Sequence, residues 1–257
     1  MTRAPLLALS CLLTLVSAPV SAAFADTDLD RLALKIWQVR AAFHNLTVTM
    51  GDPVAEQKLA ELIDEAESVM QTVTSHAESD SEQAFIDETA EPWQNFLTLA
   101  QDNTIAELGY TDHYTIIDME SAVVALSESL AAQRQQLKGD SDDLLDIAVD
   151  LQRITSEYLF ISSSPDGGSA TMATSSDGGR LQFVDAVPAL DARLKQARAD
   201  WQGNPDVLRE LESVITKWSF IRDSLVKFYE NAVPFLVKRY SAQMVDSLLL
   251  AAEFAGQ

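Results

Sequence analysis

Along most of the chain apolar residues recur every three or four positions, and the strict alternation of a half-buried strand is nearly absent. Leu59, Leu62, Ile63, Ala66, Val69, Met70 and Val73 form one such stripe. It begins at "GDP", where Gly51 ends one helix, Asp52 can cap the next and Pro53 suits its first turn. Of the nine glycines, Gly51, Gly109, Gly139, Gly203 and Gly256 fall between stripes, and the others cluster in "SSSPDGGSATMATSSDGG". A glycine inside a helix costs about 1 kcal/mol against alanine, so this placement marks helix ends. The pattern predicts helices over 28–50, 53–75, 81–108, 112–138, 141–162, 180–201, 205–230 and 233–254. Pro92, Pro188 and Pro234 are expected kinks or local breaks. The Gly/Ser-rich stretch 162–179 has no periodic apolar content and is expected to be a flexible surface loop.

The stripes repeat. Shifted by 115, Leu29, Leu32, Ala33, Ile36, Val39, Phe43 and Leu46 fall on Leu144, Ile147, Ala148, Leu151, Ile154, Tyr158 and Ile161. Shifted by 125, Ile86, Trp93, Phe96, Tyr110, Met119 and Val123 fall on Leu211, Trp218, Ile221, Phe235, Met244 and Leu248. The extra ten residues sit in the Gly/Ser-rich stretch, a surface connection that tolerates insertion because it moves no buried contact. The expected fold is therefore all-α: two tandem four-helix-bundle modules related by internal duplication, at 26–139 and 140–257.

The ends and the charge change the picture. The opening "MTRAPLLALSCLLTLVSAPVSAAFA" has a basic start, an apolar run and an A-x-A site at Ala23 to Ala25, the pattern of a signal peptide cleaved before Asp26. Cys11, preceded by "ALS" in an apolar run that continues past it, is a poor lipid-attachment site. Cleavage would leave 232 residues without cysteine, and losing Arg3 takes the net charge from −21 to −22. Such a surface repels nucleic acid and anionic headgroups, and it disfavours anionic ligands unless arginines gather locally. No second segment approaches the ~20 apolar residues of a membrane span. A periplasmic location is expected.

Candidate chemistry is sparse. There is no G-x-S-x-G, no phosphate-cradling glycine loop and no carboxylate pair that stands out from the general acidity, so no enzyme and no cofactor are expected. His44, His76 and His113 fall on different predicted helices or helix ends, without a carboxylate at i, i+3 or i, i+4 on the same predicted helix, as a helical metal site would use, and without C-x-x-C-H for haem. A metal or haem carrier is the alternative function, since ligands from separate helices can converge in a bundle. The acidic runs "HAESDSEQ" and "KGDSDDLLD" lack calcium-loop spacing and read as solvated turns and helix starts.

Two segments carry a resemblance. "LQRITSEYL" and "MGDPVAEQKLAELIDEAESVM", followed by a helix with a Trp and an aromatic, are similar to the periplasmic helical domain of the NarX/PilJ type, found in nitrate/nitrite sensor kinases and pilus chemoreceptors. The likeness covers most of the mature chain as two degenerate copies. It implies a sensor-like fold, with an unknown small ligand or a membrane signalling protein as partner; a homodimer is also allowed. Where family members carry an Arg-containing turn this chain has "LDIAVD", with Asp146 and Asp150, and no transmitter half accompanies it. Any signal is expected to pass to another protein.

Gln152, Arg153, Glu157 and Tyr158 are the candidate ligand-binding residues, with Gln38 and Arg40 in the first half. The guanidinium of Arg153 would offer a forked donor to a carboxylate. On the plainer reading Tyr158 is core, as its match to Phe43 implies, and Arg153 is solvated and paired with Glu157 at i, i+4. Arg40 falls opposite Thr155, so a duplicated site is not expected. Trp37, Trp93, Trp201 and Trp218 read as core anchors before ligand stackers.

Overall fold

The computed structural model describes residues 26–137, 143–164 and 181–256, and every regular element among them is a helix. In chain order these are α1 Asp26–Val48, α2 Pro53–His76, α3 Asp80–Gln101, the single turn α4 Ile105–Leu108, α5 His113–Gln136, α6 Asp143–Ser163, α7 Phe183–Asp200, α8 Pro205–Val226 and α9 Pro234–Ala255. None is long and apolar enough to cross a membrane. The apolar leader and Cys11 lie outside the described residues, as does 165–179 of the expected loop.

Helix starts follow the local chemistry. The Asp52 side chain accepts from the backbone N–H groups of Val54 and Ala55, with Pro53 in the first turn. The run "HAESDSEQ" is a capping box: the Ser79 side chain accepts from Glu82 N, and the Glu82 side chain accepts from Ser79 N. One expectation is corrected. The helix expected over 81–108 stops at Gln101, because Asn103 Oδ1 accepts from Ile105 N while its Nδ2 donates to Phe43 O, replacing helical bonds with side-chain ones. Pro92 and Pro188 sit inside α3 and α7 without ending them, and Pro234 begins α9.

α1, α2, α3 and α5 bury one apolar core, and α6, α7, α8 and α9 bury another. Trp93 anchors the first and Trp218 the second, where its Nε1 donates to Asp191 at 2.6 Å. Several positions matched by the sequence offsets share their environments: Trp93 with Trp218, Met119 with Met244 and Phe43 with Tyr158 are buried, and Tyr110 with Phe235 are exposed, whereas Ile86 is half-buried and Leu211 buried.

The bundles meet along α1 and α6, which pack more extensively than any other pair. The two run parallel. Arg134 bridges Asp30 of α1 (2.8 Å) and Asp146 of α6 (2.6 Å) near their starts, Arg40 reaches Ser156 midway, and His44 reaches Ser163 near their ends. Leu34 of α1 belongs to the second core, and Ile116 of α5 packs against both.

With α1 and α6 parallel, the α1–α2, α3–α5 and α8–α9 connections and the start of α7 share one end of the molecule, here the upper end. There the α1–α2 turn presses onto α4. Gly51 has φ +76°, and a Cβ on it would lie 2.7 Å from Ala106 Cα. Burial pushes the Lys238 pKa down, with the charges of Asp52 and Lys58 acting on it in opposite senses, so the starts of α9 and α2 also lie close.

Candidate functional site

On α1 the apolar stripe Ile36, Val39, Phe43, Leu46 faces the first core. Trp37, Arg40 and His44, at i, i+3 and i+7, therefore share a second face. That face meets Arg153, Ser156, Glu157 and Phe160 of α6, which have the same periodicity, and Glu120 of α5. The outcome is a polar cluster buried in the seam between bundles.

Arg40, 2% exposed, is its centre. Nε and Nη2 donate to the two carboxylate oxygens of Glu120 at 2.9 and 2.5 Å, Nη1 donates to Ser156 Oγ at 2.8 Å, and Nη2 also reaches Glu157 at 3.1 Å. The rings of Phe160 and Trp37 lie 5.1 and 5.6 Å from the guanidinium carbon, within cation–π range. Burial works to lower the Arg40 pKa, but the Glu120 and Glu157 carboxylates outweigh it and hold the pKa above its ordinary value. Burial likewise pushes Glu120 upward, yet the Arg40 charge and the hydrogen bonds from His44 and Arg40 bring its pKa down to about 2.

His44 is 1% exposed, with Nε2 3.0 Å from Glu120 Oε1 and Nδ1 3.2 Å from Ser163 Oγ. Burial lowers its pKa despite the neighbouring carboxylate. The neutral ring donates from Nε2 to Glu120 and packs edge-on to Phe43 and Phe160.

The six candidates from the sequence separate. Arg40 and Glu157 come together across the seam. Glu157 is buried and reaches Arg40 across the seam, and Arg153, expected to be solvated, is half-buried. Arg153 lies over Trp37 at 5.5 Å. Tyr158 is core, as expected; its OH accepts from Val233 N at 2.7 Å and its ring packs against Phe228. Gln152 is buried, and Gln38 is partly buried with its Oε1 shielded and lacking a hydrogen-bond partner. Thr155, opposite Arg40 in the repeat register, donates to Ser241 of α9 at 2.7 Å. Each bundle thus joins its first and last helices by a buried polar contact, ionic in one and hydroxyl in the other.

The sequence reading missed Glu120, Ser156 and Phe160 and left His44 unassigned. The available signal was a second face on α1 carrying Trp, Arg and His in helical register, which marks a helix buried on two sides. Asp146 and Asp150, in the stretch "LDIAVD", pair with Arg134 and Arg193 of flanking helices. His76 meets Asp28 at 2.8 Å and His113 is exposed. Among the described residues no group of three or more His, Cys, Asp or Glu side chains is placed to hold a metal.

Chemically, the cluster is a clamp. Glu120 takes the forked edge of the guanidinium that an incoming carboxylate would use, so an anion could bind Arg40 only by displacing it. Comparison with known proteins adds no relative: no family model, no curated protein and no solved structure matches the chain.

Proposed function

We propose that the chain is a non-enzymatic, exported, sensor-like binding protein, built by duplication of a four-helix unit, that passes a change in the packing of its two bundles to another protein. One observation carries the reading: the parallel α1–α6 seam holds a buried ionic clamp, Arg40 with Glu120 and Glu157, that joins three helices from both bundles, with a second bridge through Arg134 near the helix starts. A seam fixed by directional polar contacts has discrete arrangements, so an event that favours another placement of α1 against α6 shifts the whole molecule. The segments similar to NarX/PilJ-type domains, which form α2 and α6, and the matched burial across the repeat offsets support the same reading.

Spin labels on Arg31→Cys in α1 and Asp143→Cys in α6, both exposed positions, report the seam. Thermal shifts across a panel of small carboxylates, oxyanions and divalent metals are expected to identify a compound that raises Tm. The same compound is expected to change the label-to-label distance distribution. A panel with no Tm response and one invariant distance throughout would remove the sensor-like reading.

A further inference from the structure

The two ends of the molecule differ. Among the described residues all but Val124, Phe220 and Leu250 of the exposed large apolar side chains lie at the upper end. The aromatic members are Tyr110 and Tyr114 on the first bundle and Tyr229 and Phe235 on the second, each more than half exposed. An aromatic side chain buries about 150–250 Å². With their aliphatic neighbours, these four approach the ~800 Å² that each partner contributes to a standard interface. A concentration of this kind on one end of a polar protein marks a contact surface.

Charge selects the occupant. Around Tyr110 the first bundle presents Asp102, Glu107 and Asp112 with no Lys or Arg between 102 and 114. Around Tyr229 and Phe235 the α8–α9 connection and the start of α9 present exposed Lys227 and Arg239, with Lys238 half-buried beside them, against Glu230. Acidic and basic corners therefore sit side by side on one apolar end. Turn a second copy over about an axis perpendicular to both the helices and the line joining the bundles, and each acidic corner meets a basic one. Such an isologous contact is self-complementary and closes at two chains. An anionic membrane would meet the acidic corner unfavourably.

We propose that the upper end is the interface of an end-to-end homodimer, with the Tyr110/Glu107 corner of each copy against the Phe235/Arg239 corner of the other. The inference does not depend on the sensor-like reading.

Sedimentation equilibrium of the purified protein at micromolar concentration is expected to show a dimer. Tyr229→Ser with Phe235→Ser, both at exposed positions, should abolish the dimer while leaving the helical circular dichroism of the chain unchanged. Lys227→Glu with Arg239→Glu should weaken the dimer at least about tenfold, a loss of 1.4 kcal/mol. Adding Glu107→Lys to that pair should recover part of it. A wild-type monomer throughout, a dimer unmoved by either pair of substitutions, or a monomer that pellets with phosphatidylglycerol vesicles would overturn the proposal; the last would reassign the end to lipid.

Discussion

Arg40 shows how a buried charge is made tolerable. Moving an ion out of water costs several kcal/mol, and close carboxylates with good hydrogen-bond geometry offset that cost without making the pair an asset against an apolar substitute. Removing one partner is a different matter. Arg40→Met should destabilise the protein by about 3–5 kcal/mol, because Glu120 and Glu157 would lose the guanidinium that both meet at the seam. Arg40→Met combined with Glu120→Met should recover part of that loss in denaturant melts. Equal destabilisation by the single and double variants would show that packing, not charge, sets the effect. Tyr158 and the anchoring tryptophans were legible from the sequence because a large apolar side chain in register has one good place to go. Arg40 was named but its partners were not: they come from α5 and α6, 80 and 116 residues away, and no local spacing encodes them.

At the scale of elements, the helix starts were readable because caps are local chemistry. The end of α3 was not, since Asn103 stops it by reaching across to α1, a tertiary contact. The α1–α2 turn combines both cases. "GDP" announces a turn, but the seating of Gly51 against α4 is visible only in three dimensions. Gly51→Ala should therefore cost more than the ~1 kcal/mol of an ordinary left-handed position, because the added methyl meets Ala106 backbone as well as an unfavourable φ. Gly109, also at positive φ but with open space around it, provides the control. If Gly51→Ala and Gly109→Ala lower Tm equally, the close approach is not consequential.

For the whole molecule, the seam couples two cores that would otherwise be separate, and acid should test that coupling. His44 has a folded pKa below its ordinary value, so its contribution is present above the unfolded value of 6.5 and declines as pH falls below it. Glu120, lowered from 4.5 to about 2, contributes above 4.5 and is lost between 4.5 and 2. His44 faces Arg40 on its own helix, Glu120 on α5 and Glu157 on α6, and the shifts of His44 and Glu120 both weaken the seam in acid. Calorimetry should show one cooperative transition at pH 7 and two below about pH 4, when the bundles melt apart. A single transition at both pH values would mean that the cores, and not the clamp, set cooperativity. Two helical bundles could be expected from periodicity, but their parallel junction depends on which second faces are buried.

That junction has a topological corollary. Each bundle begins and finishes at the lower end, so residues 26, 137, 143 and 256 all lie there, and only the short stretch 138–142 passes between units. The order of the bundles along the chain is consequently interchangeable. A circular permutant that joins 256 to 26 through a linker across the lower end, and opens at 138–142, keeps every helix and every seam contact while reversing which bundle is synthesised first.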